Sequence, residues 1–227
     1  MEAKKYYFLE SKNNVADLYI FGDITSWPWS ESDVSASGIV KELQSLEVSE
    51  INVHINSYGG EVAEGLAIYN TLKNSNMKVT TVCDGFACSA ASVIFMAGDE
   101  RVINEASLLM IHNAWTYTSG NAEELRKAAE DLDKITQASV NAYMSRVSIS
   151  EDKVRELMDN ESWITADEAV EYGFATKTEK NDDDGIKQSA FGIIRNAVTK
   201  TEIAPVQQAE LVVDTHALAE EVANKLS

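Results

Sequence analysis

At 227 residues the chain is long enough for one sizeable hydrophobic core, and 44% hydrophobic with 25% charged residues is ordinary for a soluble globular protein. A formal net charge of −18 argues against nucleic-acid binding, which needs clustered Lys and Arg to neutralise phosphates. No apolar run approaches the roughly 18–20 residues of a membrane span, and the lysine-bearing start MEAKKYYFLESKNN has no apolar segment behind it, so neither a membrane protein nor a secretory leader is expected.

In chain order, the first strand expected is DLYIFG (17–22), and the second is INVHIN (51–56). EVAEGLAIYNTLKNS follows as a helix whose Val62, Leu66, Tyr69 and Leu72 share one face. MKVTTVC (77–83) is the third strand, SAASVIFMAG a short apolar helix ended by Gly98, and SLLMIH (107–112) the fourth strand. Strand and helix alternating in this way predict an α/β fold, a parallel β-sheet covered by helices.

Beyond the fourth strand the pattern is helical. Asn121 and Glu124 can form a capping box, and Leu125, Ala128, Leu132, Ile135, Ser139 and Ala142 recur at spacings of three and four. One long helix is expected over 121–147 and a second over 151–159, then a short helix capped by Thr165 and Glu168 and ended by Gly173. KTEKNDDDGIKQ (177–188) is charged and turn-prone and reads as a linker, and THALAEEVANKL (215–226) as one amphipathic helix. The expected organisation is a core domain over 1–178 and an acidic linker with a flexible or partly helical tail over 179–227.

Cys83 and Cys88 lie five residues apart, neither a disulfide framework nor a zinc pattern, and a reducing cytoplasm suits them. No metal site or cofactor is expected. Of the three histidines, His54 lies mid-strand and His216 in the tail, whereas His112 closes the apolar strand SLLMI at the carboxyl end, where open parallel sheets gather their reacting groups. Ser89 has the matching position after the third strand, flanked by Gly85, Ala87, Ala90 and Ala91. Small neighbours admit a substrate backbone, and a helix N-terminus offers unpaired N–H groups to an oxyanion. Small residues also pack a helix against a sheet, so Ser89 reads equally as a packing residue, and the usual G-x-S-x-G elbow is absent. Gly59-Gly60 stands at another strand-to-helix junction and can aim the Gly60 N–H outward, or be a plain turn; no Lys-Ser/Thr pair follows to make a phosphate loop. Among many carboxylates, the segment Asp159-Asn160-Glu161-Ser162-Trp163 stands out as a source of an acid to orient His112.

Four segments, INSYGGEVAEGLAIYNTL, DGFACSAASVIFMAGD, LLMIHNAW and WITADEAVEYGFA, follow in an order and at separations that resemble the ClpP family of self-compartmentalised serine peptidases, over about Tyr19 to Ala175. Within it the chain looks most like the phage and prophage (head maturation protease) branch. The resemblance implies a ClpP/crotonase-like core with a long handle helix. It implies Ser89 as nucleophile, His112 as general base and acid, and Gly60 and Ala90 N–H groups as the oxyanion hole. It matches the triad acid to Glu161, where the bacterial housekeeping enzymes carry Asp, with Asp159 the alternative; Tyr58 stands where those enzymes carry proline.

Extended polypeptide substrate is then expected along Gly59, Gly60, Glu61 and Val62 on one side and Asn113, Ala114 and Trp115 on the other. The resemblance further implies acyl transfer through a Ser-His-Glu/Asp triad, seven-membered rings, single or stacked, and either capsid or scaffold proteins as partners or an ATPase unfoldase. Two rivals are a crotonase-type acyl-CoA enzyme and a non-catalytic ring scaffold; retention of both Ser89 and His112 speaks against each.

Overall fold

The computed structural model describes residues 9–12, 14–30 and 32–180. The expected tail, with its amphipathic helix and His216, lies outside them. β1 (Leu9–Lys12) and β2 (Val15–Ile20) form an antiparallel hairpin. The chain then runs through α1 (Ala36–Gln44), β3 (Glu50–Ser57), α2 (Val62–Lys73), β4 (Lys78–Cys88), α3 (Ala90–Phe95) and β5 (Glu100–Asn104), and β2, β3, β4 and β5 pair side by side in parallel. β6 (Leu108–Ile111), α4 (Ala122–Met144), α5 (Glu151–Asp159), β7 (Ser162–Thr165) and α6 (Ala166–Glu171) follow. β8 (Lys177–Glu179) adds to β5 in parallel, so residues read as the start of a linker form the last strand.

Alternation along β3 buries Ile51, Val53 and Ile55 on one face of the sheet. The other face is polar: Asn52 donates to Asp17 at 2.7 Å, and Asp84 accepts from His54 Nδ1 at 2.8 Å and from Asn104 at 3.1 Å. Tyr19 stacks on the His54 ring at 4.7 Å. His54 therefore belongs to a structural network on this polar face of the sheet.

β4 is longer than its apolar run suggested. Thr80–Cys83 pair with β5, but Phe86–Cys88 pair in parallel with β6, which in turn pairs antiparallel with β7. Where β4 slips register against β3, the Asn56 side chain accepts the Phe86 N–H at 3.2 Å in place of a ladder bond. A side chain at Gly85 would collide with that Asn56 oxygen. Glycine at 85 leaves room for the Asn56 side chain to bridge the slip as the strand continues beyond Cys83.

α3 carries six residues and all of them are buried. α2 presents Gly65, Ile68 and Leu72 to the core, a stripe rotated from the one expected through Val62 and Leu66. The reason is contact: a Cβ at Gly65 would lie 2.9 Å from the Ala90 Cβ, so the two helices meet across a bare backbone. α4 and α5 match their sequence expectations closely, and both capping boxes form. The apolar stripe of α4 divides in two. Ser139, Val140, Ala142 and Tyr143 are buried, but Leu125 and Ile135 are 43% and 41% exposed.

β5 was missed because Glu100 and Arg101 break its apolar pattern. Arg101 is 5% exposed and its guanidinium donates to the carbonyls of Phe174 at 2.7 Å, Gly98 at 3.1 Å and Gly173 at 3.3 Å. It ties the chain entering β5 to the chain leaving α6. Arg101→Met is expected to leave three carbonyls without their donor and to lower unfolding stability by about 3 kcal/mol or more in urea titration.

Candidate active site

The β4–β6 pairing sets Cys88 beside Met110. Ser89 comes one residue later, its N–H donating to the Met110 carbonyl at 2.8 Å, and His112 comes two residues after Met110. The result is a hydrogen bond of 2.8 Å between Ser89 Oγ and His112 Nε2. Ser89 has φ 53° and ψ −124°, a sparsely populated conformation that costs roughly 1–3 kcal/mol unless its surroundings enforce it. Its carbonyl accepts from Ser92 Oγ at 2.6 Å and from Ser92 N–H at 2.9 Å.

Gly59 and Gly60 lie against this junction with φ 99° and 146°. A Cβ on Gly59 would stand 2.8 Å from the Ser89 Cβ and 3.0 Å from the Ala90 nitrogen, so only glycine leaves the serine approachable. Ile24 bonds to the Gly59 carbonyl and the Glu61 N–H, at 2.9 and 2.8 Å. In such a parallel bridge the intervening Gly60 N–H points away from Ile24. The Ala90 N–H opens α3 and has no partner inside that helix.

Ser89, His112, Ala90, Gly59, Gly60, Glu61, Val62, Asn113, Ala114, Trp115 and Glu161 all line one cavity of about 980 Å³. Asp159 does not line it; its carboxylate accepts from Asn113 Nδ2 at 2.8 Å. The β6–β7 register pairs Met110 with Trp163 and Ile111 with Ser162 and ends there, one residue short of His112 and of Glu161. Glu161 is exposed and has φ 48°. Among the described residues the His112 ring makes one hydrogen bond, to Ser89, and neither carboxylate is bonded to it.

Sequence reasoning missed Asp23, Ile24 and Thr25 on one wall and Ser139 and Tyr143, from α4, on another. A loop with no periodicity and the middle of a helix give no signal. Tyr143 is fully enclosed, and burial pushes its phenol up to about 12. Burial also pushes Cys88 up to about 11 and Cys83 to about 12, so neither thiol beside the serine is a nucleophile near neutral pH. Among the described residues no His, Cys, Asp and Glu side chains group to hold a metal ion, and no helix is long and apolar enough to cross a membrane.

An α/β core that presents a strained serine to a histidine across two strand ends is the framework of a serine-type hydrolase. Residues 28–182 match the family described as Clp protease, and the chain belongs to that family. It is similar to proteins named ATP-dependent Clp protease proteolytic subunit. One from Deinococcus radiodurans is 34% identical over 144 residues, 61% of this chain and 71% of that protein. One from Bacteroides fragilis is 36% identical over 126 residues, 55% of this chain and 61% of its own length, and one from Porphyromonas gingivalis is 33% identical over 156 residues, 66% and 70%. The chain thus spans less than two thirds of the Bacteroides fragilis relative's length.

Two carboxylates hold the cavity's outer loop. Glu61 accepts from Thr25 Oγ1 at 2.9 Å, Ser26 Oγ at 3.0 Å and Ser26 N–H at 3.1 Å, while Asp33 accepts from the Trp29 and Ser30 N–H groups, each at 2.8 Å. Bonds from Ser26 lower the Glu61 carboxyl, and bonds from Ser30 lower Asp33, below the ordinary carboxylate range. Depressed folded values mean that the loop's order is complete above the ordinary carboxylate pKa and is lost as pH falls through the lowered ones. Acid titration is expected to shift the emission of Trp27 and Trp29, and Glu61→Gln with Asp33→Asn to remove that step.

Proposed function

We propose that this chain is the proteolytic subunit of an ATP-dependent protease and cleaves polypeptides through an acyl-enzyme on Ser89. The observation that carries the reading is the 2.8 Å bond between Ser89 Oγ and His112 Nε2 at a junction whose neighbours are trimmed to Gly59 and Ala90. His112 Nε2 takes the Ser89 proton as Oγ attacks the peptide carbonyl, and the N–H groups of Gly60 and Ala90 hold the oxyanion. The protonated His112 then gives that proton to the leaving amine, and water repeats the cycle to free the acyl product. Glu161 is the acid that orients the imidazole: it lines the same cavity as His112, whereas Asp159 does not and is engaged by Asn113.

Substrate runs extended between Gly59–Val62 and Asn113–Trp115. Ala114 N–H donates to Thr136 Oγ1 at 3.1 Å, so it faces α4. The backbone groups of Asn113 and Trp115 then point the other way and are the ones left to pair with a peptide. The family relatives' name couples proteolysis to ATP, and Gly59-Gly60 is not followed by the Lys-Ser/Thr of a phosphate loop. A separate ATPase unfoldase in the same cytoplasm therefore supplies the nucleotide step. That name favours this reading over capsid or scaffold maturation. Assembly into rings is supported by Leu125 and Ile135, apolar side chains that α4 leaves exposed.

Ser89→Ala and His112→Ala are expected to lower turnover of a short fluorogenic peptide by at least about 10⁴-fold, with Ser89 the residue labelled by a fluorophosphonate. Glu161→Gln is expected to lose about 10²–10⁴-fold and Asp159→Asn little; the reverse order would reassign the acid. Peptide hydrolysis without ATP, together with degradation of a folded protein only when a Clp ATPase and ATP are added, supports the subunit role; processing of a capsid precursor alone would favour the other.

Leu125→Lys combined with Ile135→Lys is expected to shift the protein to smaller species in sedimentation velocity without unfolding it. Both side chains are already about two-fifths exposed in the single chain, so the change costs the monomer little.

A further inference from the structure

We propose that Ser92 and Tyr143 form a positioning strut that holds the Ser89 carbonyl and thereby keeps the Ser89 backbone turned so that Oγ meets His112; the proposal rests on the reading of Ser89 as nucleophile. Ser92 Oγ donates to the Ser89 carbonyl at 2.6 Å, and Ser92 Oγ lies 2.8 Å from the Tyr143 hydroxyl. A serine hydroxyl has one proton. Here that proton is spent on the Ser89 carbonyl, so Tyr143 is the donor to Ser92. The chain of bonds runs one way, from the Tyr143 O–H to the Ser92 O–H to the Ser89 C=O.

Both side chains are 1% exposed, out of reach of substituting water. Burial pushes the Tyr143 phenol up to about 12, which keeps it a donor near neutral pH. Its ring packs edge-on against Phe174, centroids 5.7 Å apart, which helps to aim the hydroxyl at Ser92. A backbone at φ 53° persists only where its surroundings over-determine it. The Ser89 N–H is held by Met110 from β6, and the Ser89 carbonyl by the Ser92 and Val93 N–H groups at 2.9 and 3.3 Å and by Ser92 Oγ, which Tyr143 of α4 backs from 51 residues further along the chain. Peptide units on both sides of the strained Cα are thus fixed from separate elements. Tyr143 is a positioning residue in this scheme, acting through Ser92 and without contact to the reacting atoms.

The test compares Tyr143→Phe, Ser92→Ala and the double variant, reading fluorophosphonate labelling rate, kcat and KM for a short peptide, and thermal stability. Ile39→Val, a buried change on α1 at a residue that does not line the cavity, controls for lost stability alone. Expected are labelling rate and kcat down about tenfold in each single variant, and KM changed less than about twofold. The double variant should fall no further than Ser92→Ala, because both changes break one chain of bonds. Ile39→Val should keep kcat. Folded Tyr143→Phe that labels and turns over at the wild-type rate overturns the strut, as do losses that multiply in the double variant. Failure of wild-type Ser89 to label at all overturns the nucleophile reading itself, a result separate from any difference among the variants.

Discussion

The pairing of β4 with two different neighbours, β5 along Thr80–Cys83 and β6 along Phe86–Cys88, sets where Ser89 stands relative to His112. Had β4 stopped at its apolar run, β6 would have no parallel partner and His112 would hang at the end of an isolated hairpin with β7. The continuation depends on Asn56 and Gly85, which patch the slip against β3 with a side-chain bond and an empty Cβ position. Two residues outside the cavity thus help to set the separation of Ser89 and His112.

Much of this was legible in the sequence because the strand ends and helix caps are written in local chemistry. Strand-end position singled out Ser89, His112 and Gly60 as candidates whose roles only the resemblance assigned, and the caps of α4 and α6 followed from the residues Asn121, Glu124, Thr165 and Glu168. What could not be read depends on partners distant in the chain. β5 hides behind Arg101, whose burial makes sense only once the Gly98, Gly173 and Phe174 carbonyls surround it. The buried face of α2 follows from contact with α3 rather than from its own apolar spacing, and Tyr143 looked like one more residue of a long helix. The phage branch suggested by resemblance is a finer distinction than the relatives carry, all of which share the name of the ATP-dependent subunit.

The two faces of the sheet have different tasks. One packs Ile and Val against helices. The other carries His54, Asp84 and Asn104 bonded among themselves and Asn52 bonded to Asp17, with Tyr19 laid over the histidine. Such a face stays partly wet, and its polar groups are satisfied without help from the hydrophobic core. That leaves the chemistry to the strand ends, where the serine, the histidine and the glycine pair converge.

α3 starts directly after Ser89 and buries every one of its six residues. Amide protons in such a segment are expected to exchange only when the whole domain opens, because no smaller unit can be released without exposing the core. The loop carrying Trp27 and Trp29 lies at the opposite extreme, held at the surface by the carboxylates of Glu61 and Asp33. Ser89 thus borders a layer that opens late, and a loop on the rim of the same cavity can open at small energetic cost.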